Sequence, residues 1–182
     1  MKLLIQSDDY GITKAVSLGI IEAIKNGLVR NTGLFVNMPW VEEVIELIKP
    51  YLDQIAFGLD LNISTGPSVL KKTEIPSLVL ENGNFLTSSM NRSLDNEDNN
   101  FDHVIYDEVY KEFEAQIQKF IDLVGKKPDY LHAHAYSTPT VEKVSIELSN
   151  KYNIPYSIQL FRMKQMAPSD MGWYKFPPTL EN

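Results

Sequence analysis

The sequence predicts an α/β fold built mainly on parallel strands, and three observations carry that expectation. Short apolar runs alternate with segments of helical period along the chain. Polar residues interrupt three of those runs, at Asp8-Asp9, at Asp60 and at His132/His134. Only tight turn signals, with no linker, separate the early elements, which suits βα units in one domain spanning residues 1–182. In a parallel sheet the carboxyl ends of the strands share one face, and ligands bind there.

Each element has its own justification. The run Lys2-Leu3-Leu4-Ile5-Gln6 reads as a first strand ending at Asp8-Asp9-Tyr10-Gly11. Thr13 is an N-cap for the helix that carries Val16, Leu18, Ile20, Ile21 and Ile24, and Asn26-Gly27 stops it. Gly33 to Asn37 forms a second strand, followed by a helix whose stripe is Val41, Val44, Ile45, Ile48 and Leu52. A third strand runs from about Ile55 to Ile63. Between 64 and 103 the rhythm breaks into an insertion, with a hairpin around Asn82-Gly83 and a polar stretch from Ser88 to Asn100. Connections this long within a domain are usually binding loops, lids or partly disordered segments. Val109, Phe113, Ile117, Phe120, Ile121 and Val124 mark a long helix ended by Gly125. A fourth strand follows at about Tyr130 to Tyr136, then a helix opened by Thr138-Pro139, then a fifth strand at Tyr156 to Phe161. Residues 162–182 form a tail without a period.

Composition narrows the classes. The 182 residues fall short of the roughly 250 of a complete (β/α)8 barrel. A net charge of -7 without a basic stripe argues against a nucleic-acid surface, and Lys126-Lys127 reads as a solvated pair. The absence of cysteine excludes thiol catalysis, disulfides and zinc-thiolate sites. No apolar run approaches the ~20 residues of a membrane span or forms a signal peptide, so a cytoplasmic location is expected. There is no Walker loop, Gly-x-Gly-x-x-Gly or Gly-x-Ser-x-Gly.

The chemistry-bearing residues are therefore the polar strand ends. Asp8-Asp9 is either a polar turn that caps the next helix or part of a site, because adjacent carboxylates repel unless a cation or a shared proton relieves them. Carboxylates beside imidazoles suit Zn, Mn, Fe, Co or Ni better than Mg. His132 and His134 are two apart and point to one side of a strand. His103, next to the polar loop, is expected to be exposed, Trp40 and Trp173 to be packing residues, and Glu42-Glu43 to be a solvated face.

The order of motifs resembles the YdjC-like family, which contains carbohydrate deacetylases. The resemblance rests on Ser7-Asp8-Asp9-Tyr10-Gly11, on Gly58 to Pro67, on Ile75-Pro76-Ser77-Leu78 with Gly83-Asn84-Phe85, and on Lys127 to His134. It implies a (β/α) barrel of the polysaccharide-deacetylase type and removal of acetyl groups from N-acetylated sugars. It implies a divalent metal (Zn, Mn, Co, Ni or Mg) on Asp9, Asp60 and His134, with Asp8 as the base that activates water. Asn62 and Thr65 would lie near sugar hydroxyls, under the insertion. Departures are visible too. Asp60 stands where the family has histidine, His132 replaces an aspartate, and Ala135-Tyr136 replaces further histidines. No late histidine follows His134, which makes His132 the candidate acid for the leaving amine and suggests a chain lacking the family's C-terminal part. A barrel missing its last strands would expose a sheet edge, which makes a homodimer an expectation. The alternatives are a degenerate member that binds carbohydrate or a protein without turnover and, more distantly, a receiver-like phosphoacceptor using Asp8, Asp9 and Asp60.

Overall fold

The structure, a computed structural model, describes residues 5–95 and 102–159. Four parallel strands, β1 (Gln6–Tyr10), β2 (Asn31–Leu34), β3 (Ala56–Leu61) and β4 (Leu131–Ala133), pair strictly in chain order. Helices α1 (Lys14–Asn26) and α2 (Val41–Ile48) make the first two crossovers. The third carries α3 (Ser88–Leu94) and the long α4 (Tyr106–Val124), and α5 (Pro139–Tyr152) follows β4. Strands that neighbour each other in sequence order wind one way, as in a (β/α) barrel, with no reversal at a switch point.

Local chemistry sets the helix ends. The Thr13 hydroxyl accepts from the Val16 amide at 3.1 Å, and that of Thr138 from Val141 at 3.2 Å, with Pro139 in the first turn. Gly125 ends α4 at φ 80°, where a side chain would be strained. Pro50 follows α2, and the chain tightens into a 3-10 turn over Lys49–Gln54. Along β3 the alternation is clear. Phe57 packs on Phe120 of α4 at 5.5 Å between centroids, so the odd positions face the helices. The even positions face the interior, where two glycines make room for side chains. A Cβ on Gly58 would strike the Tyr130 ring at 2.5 Å, and one on Gly33 would strike the Asp60 carboxylate at 1.9 Å.

Helix α4 holds the insertion through three side chains spaced four apart. Glu108 accepts from the Ser77 amide and hydroxyl, both at 2.8 Å. Glu112 accepts from the Val69 and Leu70 amides at 3.0 Å each. Gln116 exchanges hydrogen bonds with the main chain of Asn62. All three are buried, and burial raises the Glu112 pKa against the hydrogen bonds that lower it.

Several elements differ from expectation. Strand β1 continues through the acidic pair to Tyr10, because a bulge places three steps of β1 (Ser7 to Tyr10) opposite two of β2 (Thr32 to Leu34). The expected second strand is shifted toward Asn31, and the third and fourth are trimmed at both ends. Val16 and Leu18 are exposed, so only Ile20, Ile21 and Ile24 of that expected stripe reach the core. The hairpin survives as isolated bridges, Val79 with Phe85 and Pro67 with Asn84, around Gly83 at φ 80°. Part of the polar stretch forms α3, capped by Thr87. The expected fifth strand is reduced to one parallel bridge between Tyr156 and Leu131, since 157–159 turn helical. Its last residues, the 162–182 tail and Trp173 lie outside the described residues.

Glu112→Ala would leave two backbone amides without acceptors in the interior. We expect a loss of about 2–4 kcal/mol in urea unfolding, with Glu112→Gln, which keeps one acceptor, losing less than half of that.

Candidate functional site

Three strand ends bring their polar residues together at one mouth of the sheet. The bulge in β1 lifts Asp8 and Asp9 out of the regular ladder, and Asp9 takes φ 69°, in the left-handed region. Ala135, the residue after His134, is left-handed as well, at φ 52°. Such conformations cost about 1–3 kcal/mol each and persist where the surroundings over-determine them. Here they turn Asp9 and His134 toward each other, with His134 Nδ1 3.0 Å from Asp9 Oδ1. The other face of the imidazole is fixed by Phe35, edge-on at 4.6 Å between centroids, and Nε2 lies 3.5 Å from the Thr65 hydroxyl. The acidic pair thus does more than cap the next helix: Asp9 reaches across to a histidine that follows β4.

Asp60 lies beneath this pair. It pairs in register with His132 across β3 and β4, and only 1% of it is exposed. Its Oδ2 accepts the Asp9 amide at 3.0 Å, while Oδ1 has no hydrogen-bond partner among the described residues. Burial pushes its pKa up to about 8, and the charges of Asp8 and Asp9 push the same way against the Asp9 amide. His132 donates to or accepts from the Ser157 hydroxyl through Nδ1 at 2.7 Å. Burial lowers its pKa first, with the Asp8 carboxylate opposing.

The remaining expectations divide. Thr65 borders a cavity of about 590 Å³ lined by Ser64, Asn84, Thr87 and Ser88 and by the apolar side chains of Leu80 and Phe85. Asn62 does not meet it: it is fully buried, its Nδ2 donates to the Thr65 carbonyl at 2.7 Å and its Oδ1 accepts the Ser64 amide at 3.0 Å. It shapes the turn that presents Thr65. His103 is half-buried rather than exposed, with Nε2 2.8 Å from Asn91 Oδ1. Trp40 donates to the Gly11 carbonyl at 2.7 Å, and Glu43 pairs with Lys14 in solvent. Sequence reasoning missed the clamp of Glu108, Glu112 and Gln116, although polar residues inside an apolar helical stripe were its visible signal.

The divalent ion implied by the resemblance can be tested against these donors. Asp9 and His134 fit, as an oxygen and a nitrogen donor already side by side. Asp60 does not. One oxygen is spent on the Asp9 amide and the other sits over Gly33. No group of three His, Asp or Glu side chains among the described residues is arranged to hold an ion.

The family described as YdjC-like protein matches residues 2–179. The carbohydrate deacetylase of Thermoanaerobacter pseudethanolicus is 32% identical over 155 residues, covering 84% of this chain and 58% of its own. Carbohydrate deacetylase 2 of Listeria innocua is 33% identical over 160 residues, covering 85% and 59%. A solved structure from Enterococcus faecalis, described as a cellobiose-phosphate cleavage protein, superposes with a TM-score of 0.74 at 31% identity. It covers 84% of this chain and 57% of that one. The chain therefore spans about three-fifths of the length of the curated relatives it matches. Among the described residues no helix is long and apolar enough to cross a membrane.

Because burial holds the Asp60 proton to about pH 8 in the folded state and the unfolded chain releases it near pH 4, the contribution of Asp60 to stability falls as pH rises between those values. Asp60→Asn lacks this titration. Its stability relative to wild type should rise with pH across pH 4–8, by at most about 1.4 kcal/mol per unit. Urea unfolding in the presence of a chelator measures it, and parallel curves for the two proteins would refute it.

Proposed function

This chain belongs to the YdjC-like family, and from that premise we propose that its site hydrolyses the acetamide of an N-acetylated sugar or oligosaccharide. The observation that carries the reading is the Asp9–His134 contact, set beside Asp8 at the strand ends and next to the Thr65 cavity. The printed names of the relatives support the reaction class. The receiver-like alternative is set aside: family membership replaces it, and Asp60 is too buried to accept a phosphoryl group.

The roles follow from position. The cavity offers hydroxyl and amide groups beside the apolar faces of Leu80 and Phe85, a mixture that suits a sugar ring, with Thr65 at the end nearest the reacting group. Asp8, exposed on the bulge, takes the proton of a water whose oxygen bonds to the acetamide carbon. The carbon–nitrogen bond then breaks, acetate leaves, and the nitrogen gains a proton to depart as the amine. In this reading His132 delivers that proton, which Asp8 took from the water; burial disfavours protonated His132 and the nearby Asp8 charge favours it. A divalent cation on Asp9 and His134 would polarise the carbonyl and make the attacking water more acidic, and the mixed donors favour Zn, Mn, Co or Ni over Mg.

Acetate release from N-acetylglucosamine oligomers tests the reading. Asp8→Asn should lower kcat by about 10²–10⁴-fold with little change in KM. Asp9→Ala and His134→Ala should lose both activity and stoichiometric metal in elemental analysis. Sugar binding without acetate release in metal-loaded wild type would instead favour a carbohydrate-binding member without turnover.

A further inference from the structure

The disagreement over Asp60 points to a different use for that residue. We propose that Asp60 is a positioning residue: it accepts the Asp9 amide, locks Asp9 in its left-handed conformation and so aims the Asp9 carboxylate at His134, without itself holding the ion. The inference rests on the reading of the site given above.

The geometry carries it. The Asp9 amide reaches Asp60 Oδ2 at 3.0 Å, on the same residue whose φ is 69° and whose carboxylate meets His134 at 3.0 Å. Asp9 lies in the bulge, where the amide loses its regular ladder partner, so an acceptor from another strand is what satisfies it. Asp60 is able to supply one because β2 carries glycine opposite it. The carboxylate occupies the space a Cβ at Gly33 would fill, which holds it low in the interior, below the mouth where Asp9 and His134 meet. The short aspartate side chain stops at the backbone of β1, where it meets the Asp9 amide.

The conservative variant separates positioning from ligation. Asparagine keeps the size of Asp60 and an oxygen for the Asp9 amide but loses the charge a ligand would offer. In the full chain, Asp60→Asn should retain slow hydrogen exchange at the Asp9 amide and bind Zn within about 3-fold of wild type. Asp60→Ala should expose that amide to exchange and weaken Zn binding by about 10–100-fold, the usual effect of losing a residue that orients a ligand. Gly33→Ala, which drives a methyl into the carboxylate, should reproduce the alanine result while leaving Asp60 in place. Two results would overturn the inference: unchanged Asp9 protection in Asp60→Ala, or Asp60→Asn losing Zn as completely as Asp9→Ala while its Asp9 amide stays protected. If wild type binds no Zn and releases no acetate, yet Asp9 protection still depends on Asp60, the functional reading fails and the positioning role stands.

Discussion

The hydrogen bond from the Asp9 amide to the buried Asp60 carboxyl is the constraint on which the strand-end geometry depends. A bulge frees a backbone donor inside a narrow interior, and an unpaired donor there is costly. Asp60 satisfies it from two strands away. Two glycines are the condition for this. Gly33 admits the carboxylate and Gly58 admits the Tyr130 ring, so each glycine is covered by a side chain from the next strand along or from the residue leading into it. The pair at the mouth is built on that packing.

The other side of the mouth is held from outside the sheet. Phe35 braces His134, the Asn62 turn presents Thr65, and Gln116 fixes the main chain of Asn62 from α4. A residue expected to touch substrate turns out to shape the loop that carries one that borders the cavity. Polar residues near a site often act at this distance, on the backbone of a neighbour.

How much was legible follows the range of the interactions. The caps at Thr13 and Thr138 and the stop at Gly125 were readable because a cap is settled within a few residues of chain. The convergence of Asp9 and His134 was readable because parallel strands align their ends, which the alternation of elements already implied. The bulge was not, since register belongs to the pairing of β1 with β2 and to neither strand alone. Nor was the separate role of Asp60. Residue type suggested a third ligand, while its orientation depends on a glycine 27 positions earlier, at 33 against 60. The fifth strand failed for a related reason: Tyr156-Ser157-Ile158-Gln159, with apolar and polar residues alternating over only four positions, is too short for its period to separate a strand from a helical turn.

The clamp from α4 grips the insertion by its main chain: the amides of Val69, Leu70 and Ser77, and both backbone groups of Asn62. Apart from the Ser77 hydroxyl, these bonds are indifferent to which side chains the insertion carries. The scaffold of the loop and its side-chain content are therefore physically separable: residues around the cavity can change without loosening the bonds by which the helix holds the loop on its course.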